Sequence, residues 1–414
     1  MVEMKESVDT VQVLSAVDRF IDWLDRHGEE SYDHQSFYAS PIGRRAKALY
    51  YQCPQLGILA VAPMVFSEAF LPSARKLFWK PQRLPIADAH YAMGFAYLSE
   101  VRGDSRYYRR AVHFLEVLLQ TRCPGLKNYA WGYPFDWETS HGTIIQGTPL
   151  ITTVPYAYEA FREVYRIDRN RRWLSVMQSI AKHVLEDYYE VDTSQHAASC
   201  SYIPAPDSKW SGVVNASAYR AFLLVQAAAD LSKPEYESIA QRNLQFVIES
   251  QNPDGSWHYS KDGTRDFVDH FHTCFVLKAL AKIERVTGNS QCTAAIARGV
   301  EYYTRNLFDE NHLPKPFSRR PRLTVYRREG YDYAECINLA VLLRGRFPKL
   351  DAILANVLPL DGWQKADGSF RSRQLLVGWD NTPMHRWAQS QLFRSLCFLL
   401  YETQGHAFEL SRMS

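Results

Sequence analysis

No apolar run in this chain is long enough to cross a bilayer: the longest, Leu56 to Phe66, falls well short of the roughly 20 residues a spanning helix needs. The opening stretch, MVEMKESVDTVQVLSAVDRF, has neither the basic start nor the unbroken apolar centre of a secretory signal. The seven cysteines are scattered, with no CxxC pair, which argues against a disulfide framework and a structural zinc site. Net charge is only +3, and nowhere does basic density reach that of a nucleic-acid groove. No Pro-, Gly- or Ser-rich linker divides the chain, and no sustained period-2 segment asks for a sheet. The expectation is a cytoplasmic protein with no transmembrane segment and no nucleic-acid partner.

Aromatic residues, by contrast, are plentiful, with 25 Tyr, 21 Phe and 10 Trp, and they recur in a pattern. Residues 251 to 280 give its clearest form. A polar turn, Asn252-Pro253-Asp254-Gly255-Ser256, ends one helix; Trp257, His258 and Tyr259 follow; a second turn at Asp262-Gly263 leads to an apolar run from Phe267 that carries Asp266, Asp269, His270 and His272. Aromatic loops of this kind fall near Trp79, Trp131, Tyr202, Trp257, Phe317 and Phe370, at intervals of 52, 71, 55, 60 and 53 residues. Asp367-Gly368-Ser369-Phe370 is the closest echo of Asp254-Gly255-Ser256-Trp257. Such an interval fits two helices and two connections.

The helices alternate in character. Those starting near Pro85, Pro149, Val213, Phe267, Tyr331 and Pro383 are rich in Ala, small residues and Tyr; their partners, such as Asn170 to Glu186, Pro234 to Glu249 and Cys292 to Asn306, are more charged. A helix apolar on nearly all sides is buried, and one with a single apolar stripe lies at the surface. The pattern predicts an all-α (α/α)6 toroid with residues 1–414 as a single domain, residues 1–75 giving the weakest hairpin signal. The site is then expected where the aromatic loops lead into the inner helices.

Several constellations could carry chemistry there. In WGYPFDWETSHGTIIQGTPLITTVPY the loop joins Trp131, Tyr133, Asp136, Trp137, Glu138 and His141. Asp136 and Glu138 could act as proton donor and base, or merely cap a helix or pair with arginine. Asp269 and His272, at i and i+3, share a helix face, as do Asp266 and Asp269; a catalytic His272 held by Asp269 is preferred, with a structural histidine nearly as good an account. His270 and His272 raise a metal reading, but no further ligand set is legible, so neither metal nor cofactor is expected. Tyr202, Asn215, Tyr219, Tyr331, Tyr333, Glu335, Asp380, Asn381, His385 and Gln389 occupy equivalent mouth positions, where a wet cleft costs less than a plugged polar core.

Gln251-x3-Gly255-x-Trp257 resembles the QW turn of triterpene cyclases, and the hairpin ring resembles the fold of terpene cyclases, prenyltransferase β-subunits and six-hairpin glycosidases. The DxDD acid motif of the cyclases and a prenyltransferase zinc set are both absent. The segments WGYPFDWET, GTPLITTVPYAYEAF, NASAYRAFLL, DGSWHYS and RDFVDHFHTCFVLKALAKIE look like those of bacterial proteins encoded in capsule and exopolysaccharide loci. Some of these carry a δ-aminolevulinic acid dehydratase label, which does not suit a chain without alternating strands or the Schiff-base lysine motif of that TIM-barrel family. A weaker likeness is to glucuronyl C5-epimerases, whose late Trp-Asp followed by Thr and His resembles Trp379-Asp380-Asn381-Thr382-Pro383-Met384-His385.

The resemblance implies an enzyme of surface-polysaccharide biosynthesis that removes the C5 proton of a uronate in an acidic poly- or oligosaccharide, as an epimerase or a lyase. His272 or Tyr133 would move the proton, Tyr202 or Tyr333 would serve the opposite face, and Arg265 or Arg320 would neutralise the carboxylate. Trp131, Trp137, Asn215, Tyr219, Trp257, Tyr259, Trp379, Asp380 and His385 are the expected sugar contacts. The local basic patch Arg319, Arg320, Arg322, Arg327 and Arg328 could also meet an acidic ligand. A glycoside hydrolase using Asp136 or Glu138 with Asp269 or Glu335 is one rival; a non-catalytic glycan-binding protein of an export complex is the other.

Overall fold

The computed structural model describes residues 10–321, 324–360 and 362–413, with the last nine described as backbone; Arg322 of the basic patch lies outside the described residues. Long helices dominate: α1 (Thr10–His27), α5 (Pro85–Arg102), α6 (Ser105–Gln120), α7 (Val154–Asp168), α8 (Arg171–Glu186), α9 (Val214–Leu231), α10 (Glu237–Glu249), α11 (His270–Thr287), α12 (Ser290–Asn306), α13 (Gly330–Leu342), α14 (Pro348–Val357) and α15 (Ser390–Met413). Three shorter or looser ones lie between α1 and α5: α2 (Ser36–Ala39), α3 (Pro41–Gln52) and α4 (Pro54–Phe70).

Helices α5, α7, α9, α11, α13 and α15 pack in that order, and α15 returns to α5, closing a ring. Most of α5, α9 and α13 is buried on every side, as their Ala-rich sequences require. Helices α6, α8, α10, α12 and α14 each pack outside the inner helix that precedes them, and α1 packs outside α15, so the two ends of the chain supply the sixth hairpin. Their local signals are ordinary ones. Asp104 caps α6, Asn170 caps α8 and Asn289 caps α12 through side-chain oxygens that accept backbone N–H groups, while Gly103 ends α5 in the left-handed region.

The turns after outer helices are stitched to the next outer helix. Gln251 donates from Nε2 to Gly255 O and Ala295 O, both at 3.0 Å, and Gln364 makes the same pair to Gly368 O at 2.9 Å and Ala16 O at 2.8 Å. In each turn the acid, Asp254 or Asp367, accepts both the N–H and the hydroxyl of the following Ser. The sequence echo is therefore a structural repeat.

Short antiparallel strand pairs lie in the connections leading into inner helices: β1 (Trp137–Thr139) with β2 (Gly142–Ile144) and β3 (Glu190–Asp192) with β4 (Ala198–Cys200) within one connection each, and β5 (Val268–Asp269) with β6 (Phe317–Arg319), and β7 (Tyr326–Glu329) with β8 (Arg373–Leu375) and β9 (Trp379–Asp380), between successive connections. At two to four residues each they were too short to leave a period-2 signature. They build the mouth of the ring. The pair α3 and α4 is laid beside it: α2 and α3 pack on β1, Arg44 pairs with Asp136, Glu68 with Arg373 and Arg75 with Asp380.

Candidate active site at the mouth of the ring

Helix α11 starts later than periodicity suggests, at His270, because Asp269 is its N-cap in extended conformation. One carboxylate oxygen of Asp269 accepts the backbone N–H of His272 at 3.0 Å, and the other meets Nδ1 of the same residue at 2.6 Å. The expected proximity of Asp269 and His272 is thus present, through a cap rather than a helix face. Asp266, by contrast, precedes the helix and pairs outward with Arg319. Asp269 is buried, while the His272 side chain keeps 23% of its surface exposed. With Nδ1–H given to the carboxylate, Nε2 is the ring nitrogen left to accept a proton.

His270 turns the other way. Its Nε2 meets the Tyr303 hydroxyl at 2.7 Å, its Nδ1 meets Lys315 O at 3.2 Å, and burial lowers its pKa to about 3. It is a neutral wall residue. Among the described residues no group of three or more His, Cys, Asp or Glu is placed to hold a metal ion.

His272 opens on a narrow cleft of about 10 Å³ lined also by Val214, Asn215, Trp257, His258 and Tyr259, room for about one water molecule. Tyr259 stands edge-on to His272 with ring centroids 4.7 Å apart, and burial lifts its pKa to about 12. Asn215 is buried with its side-chain oxygen unpartnered. Around these lie Tyr202, whose hydroxyl meets Thr152 at 3.1 Å, and the Tyr156–Tyr219 hydroxyl pair at 2.6 Å. Trp137 bridges Tyr133 and Tyr202, with centroids 5.5 and 6.1 Å away. Burial raises the phenol pKa of Tyr133, Tyr202 and Tyr219, so each carries its proton.

Sequence reasoning missed a group brought in from both ends of the chain. Arg386 forks onto Asp33 at 2.8 and 2.6 Å, and its guanidinium lies 4.4 Å over Tyr133 and 4.7 Å over Trp387. Trp387 in turn touches Tyr331 and Phe271. Arg386 and Trp387 directly follow His385, so their helix-mouth position was available as a signal; Asp33 had none. Asp332, between two tyrosines that were singled out, is fully buried with both carboxyl oxygens unpartnered. Burial, then the charges of Glu329 and Asp269, raise its pKa well above the usual carboxylate range.

Other expected site residues have structural partners. Trp131 is fully buried and donates to Leu118 O at 2.7 Å; Trp257 donates to Val247 O at 2.9 Å while its edge reaches the cleft. Tyr333 packs on Trp363, and Trp363 on Trp379, an aromatic group apart from the cleft. His385 faces α1, with Nδ1 2.6 Å from the Tyr91 hydroxyl and Nε2 3.1 Å from Gly28 O. Gln389 is bound to the backbone of Phe370, and Asp380 to buried Arg75. Glu335 pairs with Lys278 inside the ring. Asp136 holds Arg44 and the Gln146 N–H, Glu138 accepts the Thr143 hydroxyl, and His141 packs on Trp210. Arg265 is tied to Asp262 and lies over Tyr259. Arg320 lines a separate basic groove of about 330 Å³ with Lys315, Arg327 and Arg328.

The closed ring of six helical hairpins defines the class: the chain is an (α/α)6 toroid. Among solved structures it is similar to a cellobiose 2-epimerase from Bacillus thermoamylovorans, with a TM-score of 0.61 and 10% identity over 78% of this chain and 88% of that one. An unsaturated glucuronyl hydrolase from Bacillus sp. matches with a TM-score of 0.59 and 11% identity, over 96% of this chain and 97% of that one. A polysaccharide lyase gives a TM-score of 0.53 and 7% identity over 78% and 90%. No protein-family model and no curated protein matches the sequence.

Proposed function

We propose that the protein is a glycan-modifying enzyme that abstracts the C5 proton of a uronate residue in an acidic poly- or oligosaccharide, as an epimerase or a lyase of surface-polysaccharide biosynthesis acting in the cytoplasm. The observation that carries this is the Asp269–His272 dyad, whose second ring nitrogen belongs to an aromatic-lined cleft of about one water's volume, so that a uronate would meet it from the cleft's opening rather than inside it. His272 is the base; Asp269 fixes its tautomer and stabilises the imidazolium that forms. Tyr259 and Tyr202, both protonated, are the nearby donors for the return of a proton to the other face or to a leaving oxygen. The basic groove around Arg320 lies in the connection whose strand β6 pairs with the strand holding Asp269, and suits the anionic part of such a glycan.

The likeness in fold to enzymes named for epimerisation, lysis and hydrolysis of sugars supports a carbohydrate substrate by analogy. Within that range, the hydrolase reading is disfavoured because three of its four candidate carboxylates are committed, Asp136 to Arg44, Glu335 to Lys278 and Asp269 to His272, which leaves Glu138 without an uncommitted carboxylate to work with. A pure binding protein would have its acids paired and ordinary, which Asp332 is not.

The test is NMR of uronate-containing polysaccharides incubated with the protein in D₂O. Deuterium entering C5, with loss of that exchange in His272→Ala, is the expected result. New reducing ends without C5 exchange would replace this reading with hydrolysis, and an unchanged glycan panel with measurable binding would replace it with a binding protein.

A further inference from the structure

The hairpin α3–α4 and the turn after it carry most of the exposed apolar surface. Nine of the sixteen large apolar side chains exposed among the described residues fall between positions 42 and 77. Ile42 is 72% exposed, Leu59 71%, Phe66 57%, Phe70 52% and Leu77 87%. Leu59, Phe66 and Phe70 lie seven and four residues apart, along one side of α4. The underside of the same hairpin is fixed to the ring by Arg44–Asp136, Glu68–Arg373 and Arg75–Asp380. The apolar side is therefore held outward by ion pairs, beside the mouth of the ring. Exposed apolar side chains gathered on one element in this way mark an interaction surface.

Its charge indicates the partner. Residues 36–80 contain six Lys or Arg (Arg44, Arg45, Lys47, Arg75, Lys76 and Lys80) and one acid, Glu68, which is already paired with Arg373. Arg45, Lys76 and Lys80 are exposed, Arg45 one helical turn after exposed Ile42 on α3 and Lys76 adjacent to exposed Leu77. An isologous pairing of two copies through this face would bring the same cations together across a dry contact. Apolar side chains rimmed by cations match a lipid surface bearing anionic headgroups. No described helix is long and apolar enough to cross a membrane, and α4, with Pro63 in its interior, suits lying in the interface rather than spanning it.

We propose that the α3–α4 hairpin docks the protein on an anionic membrane surface, with Leu59, Phe66, Phe70 and Leu77 entering the headgroup boundary and Arg45, Lys76 and Lys80 meeting acidic headgroups. The mouth of the ring then faces the membrane at a slant, and a glycan held at that surface reaches the cleft from beside it. This holds whichever reaction the cleft performs.

The test is co-sedimentation of the full chain with vesicles of phosphatidylcholine alone and of phosphatidylcholine with phosphatidylglycerol. Binding is expected to the anionic vesicles and to fall about tenfold or more as salt is raised from 0.05 to about 0.5 M. Phe66→Ser with Phe70→Ser, and separately Arg45→Glu with Lys76→Glu, should each weaken it at least about tenfold, with thermal unfolding as the check on folding. Hydrogen exchange of the unmodified protein supplies the second measurement: anionic vesicles should protect residues 54–77. Absence of sedimentation and of protection overturns the proposal. So does protection of those residues that depends on protein concentration without lipid, which would make the face a contact between copies.

Discussion

The carboxylate of Asp269 holds His272 at two points, the backbone N–H at 3.0 Å and Nδ1 at 2.6 Å. One residue thereby caps a helix and sets the tautomer of a cleft histidine. The two roles can be separated. Asp269→Asn keeps a good N-cap, since Asn and Asp cap equally well, but its amide cannot stabilise an imidazolium as a carboxylate does. The variant should fold with unchanged helix content and lose on the order of 10² or more in the rate of C5 exchange, and His272→Ala should lose about 10²- to 10⁴-fold. Circular dichroism and exchange rates on the same samples check this; a full-rate Asp269→Asn would remove the dyad from the mechanism.

The repeated turns allow a direct test of the stitch between outer helices. Gly255 and Gly368 have φ of +92° and +96°, and a Cβ at either would meet a backbone oxygen, Arg298 O at 2.4 Å or Arg19 O at 2.1 Å. Gly263 has φ of +77° with nothing within 4 Å. Replacement by Ala at Gly255 or Gly368 should cost about 2–4 kcal/mol, combining backbone strain with the shift of a packed helix. The same change at Gly263 should cost about 1 kcal/mol. Urea denaturation of the three variants orders them; equal losses would mean that the turns do not clamp their neighbours.

Buried histidines contribute to the acid side of stability, His270 and His385 among them. Burial lowers the pKa of both His270 and His385 to about 3 from an ordinary 6.5. Their folded values lie below the unfolded one, so their contribution is complete above pH 6.5 and is lost as pH falls toward 3. In that window the unfolded chain binds protons that the folded chain refuses, about 1.4 kcal/mol per pH unit for each histidine. His270→Asn retains one donor and one acceptor for Lys315 O and Tyr303. It should be less stable than the parent near pH 7, and the gap should close on acidification. Denaturation midpoints between pH 7 and 4 check the sign.

The ring was legible in the sequence because its cause is periodic. Small, apolar residues on all sides of α5, α9 and α13, and single stripes on α6, α8 and α10, are what burial on two sides or one demands. The turn echo was legible because Gln, Asp, Gly and Ser each make a local bond that needs that residue. Asp269 and His272 were found for the same reason, being three residues apart. What escaped was long-range: Asp33 meets Arg386 across almost the whole chain, and nothing near either one announces the other. Tyr333 and His385 were expected at the cleft because helix position alone does not say which side of an inner helix faces it; their partners Trp363 and Tyr91 decide that.

Arg373 ties the α3–α4 hairpin to the ring. It donates to Glu329 at 2.8 Å and to Glu68 at 2.7 Å, linking β8, β7 and α4. Glu329 is fully buried, and burial raises its pKa even with the guanidinium beside it. Arg373→Ala would leave that carboxylate without its main counter-charge, a loss of roughly 3–5 kcal/mol near neutral pH. The sign of the pH dependence follows. A carboxyl whose folded pKa lies above its unfolded value is stable while protonated and loses that stability as pH rises through the folded value, so the deficit of Arg373→Ala should grow from pH 5 to pH 8. Adding Glu329→Gln removes the uncompensated charge and should recover a large part of the loss at pH 8 with little effect at pH 5. Hydrogen exchange in residues 54–70 should rise in Arg373→Ala, since Glu68 loses its anchor at the same time. A deficit that is flat with pH would instead mean that Arg373 acts through packing on Tyr326, over whose ring it lies at 4.1 Å.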